Sequence, residues 1–313
     1  MSSSQTASSS SSVAPTTIDY SSIPSCLNGK VLSVQSHVVH GYVGNRAAVF
    51  PLQLLGFEVD FINSVQFSNH TGYSKGWKGQ TLSGDELAQL FQGLQMNNLE
   101  GSYTHLLTGY IGSETFLSNI LHIHDSLVEK NPKLIYVCDP VMGDAGKLYV
   151  PESLIQIYRD QVLKRASVIT PNQFEAETLS GKKIETEQDA LDVINLFHSE
   201  PYNIPVVVLT SVEFNNDKET LVLYASNRHS QKKYRIKFKR LPGSFTGTGD
   251  VVSALFLAFY TIHGDNDFGL ALERTLGGIQ AIIERTKPSE ELALIASRFV
   301  ILDPPIKYKS EEI

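Results

Sequence analysis

Residues 105–138 read HLLTGYIGSETFLSNILHIHDSLVEKNPKLIYVC, and this stretch decides the fold class. His105–Thr108 is a short apolar run, Glu114–Glu129 carries a helical pattern, and Leu134–Cys138 is a second apolar run. A strand, a helix and a strand in that order need a crossover, so the two strands lie parallel, and the crossover is right-handed. The same texture extends in both directions. Further strands are expected at Val31–Gln35, Glu58–Val65, Ser167–Thr170 and Val206–Thr210. Between them, Glu86–Met96 sets Leu87, Leu90, Phe91 and Leu94 on one helical face, and helices are also expected at Glu152–Lys164 and Glu187–His198.

The pattern changes after Thr210. Thr220–Ala225 and Tyr234–Lys239 are separated only by a loop, which predicts antiparallel strands at one sheet edge. Two apolar helices, Gly249–His263 and Phe268–Thr286, follow. The expectation is a single three-layer αβα domain over residues 26–313, with a mainly parallel central sheet covered on both faces. Residues 1–25 are Ser- and Thr-rich with almost no core-forming side chains, so they are expected to form a disordered tail.

Composition narrows the function. There are 33 acidic and 26 basic residues, for a net charge of −7, against the basic surplus usual in nucleic-acid binders. No apolar run approaches the roughly 18 residues of a membrane span. Cys26 and Cys138 lie far apart in the sequence, form no metal motif and fit a reducing compartment, so a cytoplasmic chain, with the nucleus also open to it, is expected. His122 and His124 flank an isoleucine in a helical pattern and read as surface residues.

In such sheets ligands bind beyond the carboxyl ends of the strands. The residues placed there include Ser36, Phe67 to Tyr73, Gly109-Tyr110, Asp139 to Asp144, Thr170 to Glu175, and Thr210-Ser211. Polar and acidic groups thus converge on one edge. Gly247-Thr248-Gly249-Asp250 opens an apolar helix, where glycine-flanked amides form an anion hole and Asp250 is placed to take a proton from an alcohol. The helix N-terminus is expected to hold the Asp250 pKa low. Asp139, Asp144 and Glu175 repel one another unless a hard, partly hydrated cation such as Mg²⁺ sits among them. Walker and GxGxxG motifs are absent, which argues against P-loop ATPases and dinucleotide dehydrogenases.

Several segments together resemble the pyridoxal kinase family of the ribokinase-like superfamily. They are Val31 to Asn45 (VLSVQSHVVHGYVGN), Asn63 to Tyr73 (NSVQFSNHTGY), Trp77 to Gln80, Val137 to Asp144, Tyr149 to Pro151, Thr170 to Glu177, and Gly247 to Asp250. The resemblance implies transfer of the ATP γ-phosphoryl group to the 5′-hydroxymethyl of pyridoxal, pyridoxine or pyridoxamine. It assigns Asp250 as catalytic base, with Gly247, Thr248 and Gly249 as the anion hole. Ser36 and Thr71 then contact the pyridine ring, with Phe67 and Tyr110 as the pocket wall. Asp139, Asp144 and Glu175 match the divalent-metal region (Mg²⁺, or another ion such as Zn²⁺), and Thr170 lies near a monovalent cation, K⁺ or Na⁺. Tyr149, Asn172, Thr210, Ser211 and Thr248 fall on the ATP side, with Leu241, Pro242 and Gly243 as the nucleotide-side loop. A homodimer is implied as well. The same fold serves hydroxymethylpyrimidine and sugar kinases, and a non-catalytic vitamin B6 binder is the remaining alternative. No cysteine stands at Ser244-Phe245-Thr246, so the aldehyde is expected to bind noncovalently.

Overall fold

Alternate residues along the central strands enter opposite cores, the mark of a sheet buried on both faces. Val31, Leu107, Val137, Val168 and Val206 pack into one core, while Leu32, Leu106, Tyr136, Ile169 and Val207 pack into the other. A computed structural model describes residues 29–144, 146–214, 217–288 and 290–313. The Ser-rich segment 1–25 and Cys26 lie outside the described residues.

The chain begins with β1 (Lys30–Val38), α1 (Asn45–Leu54), β2 (Glu58–Phe67), β3 (Gly79–Thr81), α2 (Gly84–Met96), β4 (His105–Thr108), α3 (Glu114–Lys130) and β5 (Ile135–Cys138). A small hairpin, β6 (Gly143–Asp144) and β7 (Lys147–Leu148), precedes α4 (Ser153–Ile157), β8 (Val168–Ile169), α5 (Gln173–Ser180) and α6 (Glu187–His198). Then come β9 (Val206–Phe214), β10 (Asp217–Asn227), β11 (Lys232–Lys239), α7 (Thr248–His263), α8 (Phe268–Arg285), α9 (Arg298–Leu302) and β12 (Glu311–Glu312).

Among the described residues the main sheet runs β12-β11-β10-β9-β8-β5-β4-β1-β2-β3. Strand β1 lies parallel between β2 and β4, and β4, β5, β8 and β9 continue in parallel. The expected antiparallel edge is present, with β10 against both β9 and β11. The opposite edge also ends antiparallel, in β3, and β12 extends the far side. The chain leaves β1 toward β2 and later returns to β1's other side with β4. That reversal is a topological switch point, and ligands of open α/β sheets bind beyond the carboxyl ends of the strands at such a point.

Helices α2, α3, α5 and α6 supply buried residues to one core, and α1, α7, α8 and α9 to the other, giving three layers. Helix α2 starts at a capping box in which Ser83 and Glu86 satisfy each other's backbone amides. The expected Glu152–Lys164 helix is α only to Ile157 and widens into a π turn over Tyr158–Val162. Helix α1 was not expected, because Pro51 inside it breaks the usual reading of a helix. One histidine is corrected. His122 is exposed, but His124 is buried, with its ring 5.3 Å from that of Tyr136 and its Nδ1 2.9 Å from Asp125 Oδ1.

Candidate active site

Three elements bring the acidic residues together. Asp139 follows β5, Glu175 stands in the first turn of α5, and Asp250 stands in the first turn of α7. Helix α5 begins at Asn172, whose side chain accepts from the Glu175 amide at 2.9 Å while Glu175 accepts from the Asn172 amide at 2.9 Å. The other Glu175 oxygen accepts from the Met142 amide at 3.0 Å, and Asn172 Nδ2 donates to the Gly143 carbonyl at 2.9 Å. One carboxylate therefore caps its own helix and pins the β6–β7 hairpin. Asp139 accepts from the Ser253 hydroxyl at 2.9 Å, and that hydroxyl lies 2.9 Å from Thr170 Oγ1. Asp139, Thr170 and Glu175 are all buried.

Burial, together with the negative charges of Glu175 and Asp250, raises the Asp139 pKa well above the carboxylate range. Glu175 is also raised, by burial first, against the lowering effect of its backbone hydrogen bonds. Two buried acids without a facing cation are poorly stabilised as anions. This donor set fits a hard cation that brings its own water and phosphate oxygens. Among the described residues no group of three or more His, Cys, Asp or Glu side chains gathers closely enough to hold a bare metal ion. Asp144 is exposed on the β6–β7 hairpin, outside the buried pair.

Helix α7 begins at Gly247, with no side chain capping it. Gly247 has φ +88°, and a Cβ there would come within 1.9 Å of the Tyr42 carbonyl oxygen. Only glycine allows that close approach and that conformation. The turn after β1 is thereby pressed against the Gly-Thr-Gly-Asp turn. The Gly44 amide donates to Asp250 from the same turn. Asp250 is half-buried, and burial outweighs that hydrogen bond, so its pKa rises to about 6. The helix N-terminus therefore does not hold it low, contrary to the sequence-based expectation. Desolvation by the packed turn is the larger effect.

The other predicted residues lie on or after several strands of the sheet. Ser36 is buried near the end of β1, and Phe67 ends β2 with its ring 6.1 Å from Trp77. Thr71 is exposed in the following loop. Tyr110 follows β4, half-buried, and its carbonyl accepts from Ser64 at 2.9 Å. Thr210 and Ser211 lie on β9, where the Thr210 amide donates to the Pro171 carbonyl at 3.0 Å. Tyr149 is about half exposed, and its phenol pKa is raised by partial desolvation and then by the charges of Asp144 and Glu175. Leu241, Pro242 and Gly243 form the loop after β11, with the Phe245 ring directly below Gly243. Thr248 Oγ1 is 3.5 Å from the Phe245 carbonyl. Two contributors had no local signal: Gly44 and Ser253. Each acts through a partner distant in sequence, which spacing within a segment does not show.

The chain is similar in sequence and fold to known proteins. A family model for phosphomethylpyrimidine kinase matches residues 104–285. A pyridoxal kinase of Arabidopsis thaliana is 46% identical over 299 residues, covering 90% of this chain and 94% of the relative. The Homo sapiens pyridoxal kinase is 41% identical over 303 residues, covering 88% of this chain and 96% of the relative. A solved pyridoxal kinase from Leishmania donovani, in complex with ADP and pyridoxamine, superposes with a TM-score of 0.84 at 36% identity. That match covers 91% of this chain and 99% of the Leishmania chain. With acidic residues gathered beyond the strand ends and likeness of this extent along nearly its whole length, the chain belongs to the pyridoxal kinase family.

Proposed function

We propose that Asp250 deprotonates the 5′-hydroxymethyl group of pyridoxal, pyridoxine or pyridoxamine as that oxygen attacks the γ-phosphorus of ATP. The observation that carries this reading is the Gly247 turn, which sets a carboxylate and uncapped helix amides side by side. Phosphoryl transfer of this kind rests on positioning and charge stabilisation. The amides of Thr248 and Gly249 face the charge that builds on the transferring group. Ser36 and Thr71 hold the ring, and Phe67 and Tyr110 wall it. Asn172, Tyr149, Thr210, Ser211 and the Leu241–Gly243 loop receive the nucleotide.

Asp139 and Glu175, with Asp144, hold Mg²⁺ or a similar divalent ion through water and phosphate oxygens, and Thr170 lies beside a K⁺ or Na⁺ site. The divalent ion, when bound, neutralises the phosphate oxygens. The buried pair of raised carboxyls supports this, since among the described residues neither carries an ion pair. A homodimer is proposed too, supported by the exposed Val39, Phe61, Ile295 and Phe299 side chains. We assign the chain to the cytoplasm, with the nucleus open to it. No helix among the described residues is long and apolar enough to cross a membrane.

A hydroxymethylpyrimidine acceptor is the second reading, because the matching family model is that of a phosphomethylpyrimidine kinase. That match begins at residue 104, beyond Ser36, Phe67 and Thr71, so it does not include the segments assigned to the ring. ATP consumption measured with pyridoxal, pyridoxine, hydroxymethylpyrimidine and ribose separates the readings. Turnover confined to hydroxymethylpyrimidine or ribose would overturn the first.

A further inference from the structure

In the segment between α8 and α9, the Glu291 carboxylate touches two separate loops. Its Oε2 accepts from the Tyr42 amide at 3.3 Å, in the turn after β1. Its Oε1 accepts from the Tyr73 hydroxyl at 2.8 Å and lies 3.3 Å from His70 Nε2, both in the loop after β2. His70 Nδ1 accepts from the Gly72 amide at 3.1 Å, so the ring proton sits on Nε2 and points at Glu291. Gly41, with φ +95°, makes the approach possible: a Cβ there would fall 2.3 Å from Glu291 Oε2.

Glu291 itself is firmly held. Leu292 and Leu294 are buried beside it, and the Ala293 amide donates to Thr286 Oγ1 at 3.0 Å. The two loops are otherwise tied mainly by strand-like bonds at their roots, Val39 to Phe67 at 2.8 Å and His40 to Ser68 at 2.9 Å. A rigid post thus meets two surface loops. One of them continues through Tyr42 to the Gly247 turn, and the other contains Thr71.

We infer that Glu291 is a positioning residue that fastens the loop after β2 over the acceptor side of the site and links it to the turn that packs on Gly247. It touches no reacting atom. The inference rests on the proposed reading that this side of the site takes the vitamer ring. Its consequence is selective, because among the described residues the polar partners of Glu291 are Tyr42, Tyr73 and His70, none of them on the nucleotide-side α5, β9 or Leu241–Gly243 loop.

The test uses the full chain with Tyr73→Phe, Glu291→Ala and the double variant. Trp77, the only tryptophan in the sequence, sits in the fastened loop and reports its state without an activity readout. The KM for pyridoxal should rise roughly tenfold in Glu291→Ala and about three- to tenfold in Tyr73→Phe, the scale of one ordinary hydrogen bond. The KM for ATP should stay within about twofold, because no ground-state nucleotide contact is lost. Acrylamide should quench Trp77 more strongly in both single variants. The double variant should match Glu291→Ala, since Tyr73 then has no partner left to lose. Parallel rises in both KM values, unchanged quenching, or multiplying effects in the double variant would each overturn the inference. If Glu291→Ala does not fold, Tyr73→Phe alone decides through its KM split and quenching. A wild-type chain that ignores pyridoxal would refute the functional reading, while the quenching result would still decide the role of Glu291.

Discussion

The hydroxyl of Ser253, one turn into helix α7, donates to the buried carboxylate of Asp139 at the end of β5, at 2.9 Å. The bond ties the helix that carries Asp250 to the acid beside the proposed cation site. Thr170 closes the group, 2.9 Å from the same hydroxyl. Ser253→Ala leaves a buried acid without this donor and should cost about 1–3 kcal/mol of stability. Chemical denaturation measures it, and a loss under about 0.5 kcal/mol would mean that the pair carries no net energy.

Asp250→Asn keeps the shape of the side chain but cannot take a proton. The expected outcome is a kcat lower by roughly 10²–10⁴-fold, the usual worth of a general base. Steady-state kinetics at saturating pyridoxal and ATP check it, and KM values should move little. Turnover within a few-fold of wild type would reduce Asp250 to an ordinary first-turn acid.

Glu175→Gln and Asp139→Asn should differ. Both should raise the Mg²⁺ concentration needed for half-maximal rate, by about tenfold or more, since groups around a metal commonly carry that much affinity. Glu175→Gln should also lower stability by about 1–3 kcal/mol, because one of its two oxygens that accept from Met142 and Asn172 becomes a donor facing a donor. Metal titrations of the rate, paired with melting curves, separate the two effects. Unchanged metal dependence in both variants would leave these acids with capping roles only.

Gly247→Ala and Gly249→Ala form a contrast within one motif. At Gly247 the new methyl meets the Tyr42 carbonyl at 1.9 Å in a left-handed backbone, whereas at Gly249 the nearest atom is Asp139 Oδ2 at 3.7 Å. Gly247→Ala should therefore lose at least about 2 kcal/mol of stability, and nearly all activity through displacement of the turn. Gly249→Ala should fold normally. Urea unfolding midpoints report both, and equal stabilities would contradict the close packing of the two turns.

Stability in mild acid should depend on His105. Burial pushes its pKa down from 6.5 to about 4, with its ring nitrogens 2.8 and 3.0 Å from the hydroxyls of Thr104 and Thr261. The unfolded chain takes up this proton first. The contribution is therefore complete above pH 6.5 and is lost as pH falls toward 4, by roughly 3 kcal/mol in all. His105→Gln should flatten the stability–pH curve in that window, whatever its stability at neutral pH. An unchanged slope would mean that the ring is protonated in the fold without penalty.

Much of this architecture is readable along the chain because its signals are local. Leu87, Phe91 and their neighbours recur within a helical turn, and the apolar runs at 105–108 and 206–210 need only neighbours in sequence to declare strands buried on both faces. The Gly-Thr-Gly-Asp turn is equally visible, since its chemistry lies in consecutive residues. Helix α1 stayed hidden because Pro51 inside it is a local signal pointing the other way, overruled by the packing of Ala47, Ala48 and Leu52. The edge strands β3 and β12 are too short to show a period. Other features belong to the folded chain alone. Asp250 rises to about 6 because packed neighbours remove its water, and the exposed-looking His124 is buried against Tyr136. Glu291 meets Tyr73, and Ser253 meets Asp139, only after the sheet has brought their segments side by side. Desolvation and hydrogen-bond partnership depend on groups that surround a side chain in space, and those groups come from parts of the chain that no window of sequence contains together.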